Sequence, residues 1–173
     1  MTQKLLGYSK QLLVDALFEL MEHKKFQEIT IKELAKNAGV SRLTFYRNFD
    51  SKEDILREYY EIVFSQYLEK LDNSIDSSMQ IIILACYEYW KKSENHIQLI
   101  LDNQLEYFLY ETFENCLCTF FQKSHIDNQL KENQMKFLIS GFYFSMINWI
   151  SKNKNVTSEK MVKSICDMLA IQL

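Results

Sequence analysis

Arg42, Thr44, Tyr46 and Arg47 fall within six residues, with Leu43 among them and Lys52 five positions further on. A guanidinium presents a planar fork of donors that fits the O6 and N7 acceptors of guanine or a pair of phosphate oxygens. Phosphate contact is the default, since half or more of protein–DNA hydrogen bonds go to the backbone. Leucine supplies an apolar surface of the kind that packs on a thymine methyl. Near Lys52 a helix start offers N–H groups and a positive dipole end that already suit a phosphate, and the ammonium adds to them. These residue types at this spacing suit recognition of a nucleic acid rather than the making or breaking of bonds.

Such side chains must be carried on a rigid element, and Thr30 to Leu56, TIKELAKNAGVSRLTFYRNFDSKEDIL, supplies one. Thr30 and Glu33 have the spacing of a capping box, which opens a helix. Ile31, Leu34, Ala35 and Ala38 recur at i, i+3, i+4 and i+7 and form one apolar face. Gly39 can adopt the positive φ of a tight turn, and Ser41 is a good cap for a second helix. On that helix Phe45 and Phe49 lie four apart on one side, leaving Arg42, Leu43, Thr44, Tyr46 and Arg47 largely on the other. Two short helices bent about a glycine, the second basic and rich in hydroxyls, suit insertion into a DNA major groove. Ser51 then caps a longer helix.

The segment resembles the TetR/AcrR family of bacterial transcriptional regulators. The residues that carry the resemblance are Thr30, Leu34-Ala35, Ala38-Gly39-Val40-Ser41, Phe45-Tyr46, Phe49, Ser51-Lys52-Glu53 and Leu56, with Ala16, Leu17, Leu20 and Phe26 upstream. It covers roughly residues 9–60. Three positions depart from the family pattern: Lys25 replaces a common glycine, Leu43 a small residue and Asn48 a histidine. The resemblance implies that Thr30, Arg42, Leu43, Thr44, Tyr46, Arg47 and Lys52 contact double-stranded operator DNA. Thr44 and Tyr46 match family positions that touch base edges and backbone.

The chain has 173 residues, no proline and only three glycines, which favours helices throughout and rules out a glycine-rich phosphate loop. Net charge is −3, but residues 1–52 hold nine Lys/Arg against six Asp/Glu, while residues 53–173 hold eleven against seventeen. A basic N-terminal third on an acidic body confines phosphate attraction to one end. The three histidines, His23, His96 and His125, show no Glu-x-x-His spacing, and neither a His-Glu-x-x-His nor a nucleophile-elbow pattern occurs. No catalytic residue, metal site or cofactor is expected. Cys86, Cys116, Cys118 and Cys166 lack ligand spacing and read as reduced, mostly buried thiols of a cytoplasmic protein. No signal pattern opens the chain. The longest uncharged run, Phe137 to Ser151, is fifteen residues and falls short of the roughly 18–20 that a membrane span needs.

The expected architecture is all-α. Residues 1–56 form a three-helix DNA-binding domain with its helix-turn-helix at about 30–49. Residues 57–173 form a helical ligand-binding and dimerisation domain, with helices near 78–92, 95–101, 103–122, 127–152 and 158–171. Tyrosine and tryptophan offer an apolar wall with a polar tip, so Tyr87, Trp90, Tyr107, Tyr110 and Tyr143 are candidate lining for a pocket taking a small hydrophobic or aromatic effector. The resemblance implies that such a pocket exists. The helix over 137–151 is apolar almost all round and needs two partners, with Ser140, Gly141 and Ser145 allowing close approach. The family dimerises through its last two helices, so Gly141, Phe144, Ser145, Ile165 and Leu169 are expected at a homodimer interface. The alternative is a helical adaptor that keeps the fold and acts through protein partners. Its discriminator would be loss of Arg42, Tyr46, Arg47 or Lys52, and all four are present.

Overall fold

The computed structural model describes residues 7–72, 79–123, 132–152 and 155–170, and among them every regular element is helical. In chain order these are α1 (Tyr8–Met21), a 3-10 turn (Phe26–Glu28), α2 (Ile31–Asn37), α3 (Arg42–Asn48) and α4 (Lys52–Asp72). Then follow α5 (Met79–Lys92), α6 (Glu94–Asp102), α7 (Glu106–Lys123), α8 (Glu132–Lys152) and α9 (Ser158–Ala170). The helix-turn-helix lies where its apolar periodicity and caps place it, and the C-terminal helices lie near their expected ranges, except that α7 begins at Glu106 rather than at 103, past the left-handed Gln104. Of the expected helices, residues 78, 127–131 and 171 lie outside the described residues.

Two compact units form. The first comprises the chain up to Phe64 together with Leu99–Thr112, and the second comprises Ser65–Gln98 with the chain from Phe113 onward. Helices α4, α6 and α7 each contribute to both. In the first unit Leu13, Leu17, Phe18 and Met21 of α1 are buried with Phe26, Leu34, Phe45, Ile55, Leu56 and Tyr59. The ring of Phe18 meets Tyr59 edge-on with centroids 5.2 Å apart. Full burial of each such side chain stabilises the fold by about 1.5–3 kcal/mol. In the second unit α5 packs on α8 and α9. Its centre is aromatic: Trp90, Phe113 and Tyr143 pack pairwise at 5.4–5.8 Å.

Two helix ends share one geometry with different residues. At the end of α2, Val40 N donates to Ala35 O at 2.9 Å and Gly39 N to Lys36 O at 3.2 Å, with Gly39 at φ +66°. This paired closure around a left-handed residue satisfies the last carbonyls of the helix. At the end of α6, Leu105 N donates to Ile100 O and Gln104 N to Leu101 O, both at 3.0 Å, and the left-handed residue is Gln104 at φ 58°. Lys25, where the family pattern has glycine, sits at φ −67°, ψ 141°. Extended backbone needs no glycine, so the substitution is accommodated.

Helix α8 divides its apolar residues between two faces. Ile139, Phe142, Tyr143, Met146, Trp149 and Ile150 are buried, whereas Phe137 and Phe144 are exposed. No described helix is long and apolar enough to cross a membrane. Burial pushes the Cys86 thiol up to about 12. The other three thiols, expected to be mostly buried, are half-exposed, and none of the four is bonded to another.

Candidate nucleic-acid interface

Short helices are marginal on their own, so those of the helix-turn-helix depend on caps and on burial of one face. Glu33 N donates to Thr30 Oγ1 at 3.2 Å, which is half of the expected capping box. The other half is shared: the Glu33 carboxylate takes the Thr30 backbone N–H and also accepts Lys24 Nζ at 2.8 Å. The Lys24 hydrogen bond holds the Glu33 carboxyl below its ordinary value. At α3, Thr44 N donates to Ser41 Oγ at 3.0 Å, and the two hydroxyls lie 2.9 Å apart. A second reciprocal box closes one element later. Asp54 N donates to Ser51 Oγ at 3.2 Å while Ser51 N donates to Asp54 Oδ2 at 2.8 Å.

These caps orient α3. Its inner side buries Phe45 and, just past the helix, Phe49. Its outer side exposes Arg42 and Arg47, with Leu43 at 60 % and Tyr46 at 49 % exposure. Thr44 is half-exposed at the edge, where its carbonyl accepts Asn48 Nδ2 at 2.7 Å. Neither arginine is ion-paired among the described residues. The neighbouring α2 exposes Lys32 and Lys36, which the pattern of apolar residues implied without marking them as contacts. Two guanidinium groups, a phenol and an isobutyl group on one solvent face can meet phosphates, base edges and methyls together.

Thr30 and Lys52 are placed differently from this group. The Thr30 hydroxyl is exposed and serves as a cap. Lys52 Nζ donates to Phe26 O at 2.5 Å and Ile29 O at 2.9 Å, and lies 4.5 Å from the centre of the Phe26 ring. Partial burial lowers this ammonium below its ordinary value. Its direct structural role is therefore to hold the carbonyl that opens the 3-10 turn and the one just past its end.

The residues considered for an effector pocket fall in both units. Tyr87, Trp90 and Tyr143 are buried in the second unit and are packed by other aromatics. Tyr107, exposed at 57 %, and the half-exposed Tyr110 belong to the first. Of the residues considered for a dimer interface, Gly141 and Phe144 are exposed, and a side chain at Gly141 would meet nothing within 4 Å. Ile165 and Leu169 are half-exposed. Ser145 accepts a hydrogen bond from Tyr87 inside the unit.

Residues 13–59 match the family described as bacterial regulatory proteins, tetR family. The HTH-type transcriptional regulator EthR of Mycolicibacterium smegmatis is 43 % identical over 58 residues, covering 34 % of this chain and 27 % of that protein. The match thus spans about a quarter of that relative's length. The HTH-type dhaKLM operon transcriptional activator DhaS of Lactococcus lactis is 23 % identical over 172 residues, covering 95 % of this chain and 90 % of that one. The solved structure of Lin0861 from Listeria innocua shares the fold with a TM-score of 0.82 at 16 % identity, covering 99 % of this chain and 98 % of that one.

Proposed function

We propose that this chain, whose residues 13–59 match the TetR family of bacterial regulatory proteins, is a member of that family and a sequence-specific, ligand-responsive DNA-binding transcriptional regulator acting as a homodimer. The observation that carries the proposal is the solvent face of α3, where Arg42, Leu43, Tyr46 and Arg47 stand out while Phe45 is wholly buried. Each protomer would lay that face in a major groove, and the dimer would read two half-sites of a palindrome about 34–36 Å apart or a multiple of that. Thr30, Thr44 and Lys52 would complete the DNA-contacting set from its margins. The protein would work in the cytoplasm.

A second copy would cover the exposed side of α8 around Gly141 and Phe144 with the half-exposed positions Ile165 and Leu169 of α9. The exposure of Phe137, Phe144 and Met168, each more than half accessible, supports this. A small hydrophobic or aromatic effector would enter the C-terminal unit among Tyr87, Trp90 and Tyr143, prising apart rings that now touch. Helix α4 would be the lever, because it begins at the reading head and runs on to Asp72. An effector shifts the equilibrium only by its differential affinity for the two states, and coupling of about 1–3 kcal/mol corresponds to roughly 5–150-fold release of DNA. By linkage the operator must weaken effector binding by the same factor.

We favour repression by occupation of a promoter. The Lactococcus relative, matched over nearly the whole chain, is named an activator, and that favours activation as a second reading. Selection of binding sites from a random pool of duplexes tests the common core of both. A palindromic consensus is expected, and recovery of no enriched sequence would refute the proposal. A promoter–reporter assay on the enriched site then separates repression from activation.

A further inference from the structure

Two segments distant in sequence, the α6–α7 turn and the start of α4, converge on the 3-10 turn before the helix-turn-helix. The Phe26 amide donates to Asn103 Oδ1 at 2.6 Å, across 77 positions. Asn103 is 4 % exposed, and its Nδ2 donates in turn to Leu99 O at 2.8 Å. One residue before Phe26, Lys25 Nζ donates to Asp102 O at 2.9 Å. The carbonyls of Phe26 and Ile29 accept Lys52 Nζ from the start of α4. The next residue is Thr30, whose hydroxyl caps α2. The α6–α7 turn thus accepts two bonds from the approach to the reading head, one on the Asn103 side chain and one on the Asp102 backbone. Asn103 reaches out from the turn and Lys25 reaches back to it.

We infer that Asn103 is a positioning residue for DNA recognition: its Oδ1 on the Phe26 amide holds the 3-10 turn, and through it the start of α2, in the placement that operator binding needs. The inference rests on the function proposed above. Asparagine fits the position because one side chain must both accept from an amide and donate to a carbonyl. A buried amide left without its acceptor is costly, so loss of Oδ1 would move the turn rather than leave the N–H unpaired in place. Cations on both sides make the turn a junction: Lys52 draws its carbonyls toward α4, and Lys25 fastens the preceding residue to the end of α6.

The test compares Asn103→Leu, which keeps similar bulk and removes both polar atoms, with Asn103→Asp, which keeps an acceptor. Both are measured as full-length proteins against the operator selected by the wild-type protein. The temperature is one at which far-UV dichroism shows each variant folded. Asn103→Leu is expected to bind at least fivefold more weakly, to exchange the Phe26 amide faster, and to discriminate less against operators with one base pair added between half-sites. Asn103→Asp is expected to recover most of the affinity. A folded Asn103→Leu protein with wild-type affinity would overturn the inference, as would equal losses in both variants. If Asn103→Leu does not fold, Lys25→Met removes the other tie at an exposed site, with at least twofold weaker binding expected and unchanged binding overturning the inference. Failure of the wild-type protein to select any duplex would refute the proposed function itself.

Discussion

The Tyr87 hydroxyl donates to Ser145 Oγ at 2.7 Å, joining α5 to α8 inside the C-terminal unit. A residue considered for the pocket and one considered for the dimer interface therefore satisfy each other. The Tyr87 ring is wholly buried and lies 5.3 Å from Trp149. Burial pushes its hydroxyl up to about 12, outweighing the contact with Ser145, which acts in the other direction.

Tyr87→Phe should destabilise the protein by about 0.5–1.5 kcal/mol, the usual net worth of one hydrogen bond. The pH dependence has a definite sign. A tyrosine in the unfolded chain loses its proton near 10, while Tyr87 in the fold holds it to about 12. The unfolded state therefore binds fewer protons between those values, and stability falls as pH rises through that window. The contribution is complete below the lower value. Urea titrations at a series of alkaline pH values should show a steeper fall for wild type than for Tyr87→Phe. Equal slopes would contradict the burial of this hydroxyl.

The two left-handed helix ends give opposite expectations. Gly39→Ala places a Cβ in open space, so its whole cost is conformational, about 1 kcal/mol for a non-glycine residue at φ +66°. Gln104→Gly relieves the same strain at φ 58° and should raise stability by about 0.5–1 kcal/mol, less than the full relief because glycine loses more entropy on folding. Denaturant midpoints of the two single variants check both signs.

What could be read from the sequence was whatever is local. The caps at Thr30, Ser41 and Ser51 are three- and four-residue patterns, and each forms. Phe45 and Phe49, four apart, turn inward and thereby turn Arg42 and Arg47 out. The two-sided character of α8 was legible in the same way. Contacts across long separations were not. Nothing in the spacing of Asn103 marks it as the acceptor for an amide 77 residues earlier. Nor does the position of Lys52 announce that its ammonium also holds the carbonyls of Phe26 and Ile29. The 3-10 turn is three residues long, too short for a periodic signal. Helical spacing does not divide tyrosines between two units, and Tyr107 and Tyr110 belong to a different unit from Tyr87 and Tyr143.

Phe144→Glu tests the proposed dimer. Because Phe144 is 63 % exposed within the chain, a glutamate there should leave the protomer folded. In a dry contact between two copies the same charge would cost several kcal/mol. Sedimentation should show wild type as a dimer and the variant as a folded monomer with strongly weakened affinity for a palindrome. A variant that stays dimeric would place the interface elsewhere.

Exposed arginines on α3 are the centre of the account, and the salt dependence of operator binding tests them most directly. Fluorescence anisotropy would follow affinity for the selected operator over a series of salt concentrations, for wild type, Arg47→Ala and the Arg42→Ala/Arg47→Ala double variant. Each phosphate contact removed should flatten the slope of log affinity against log salt by about one. If an arginine reads a base instead, its loss should cost about 1–3 kcal/mol on the selected operator and relax preference at a single position. Either result is expected to leave the double variant greatly weakened. A double variant that binds the operator with wild-type affinity and wild-type salt slope would contradict the account.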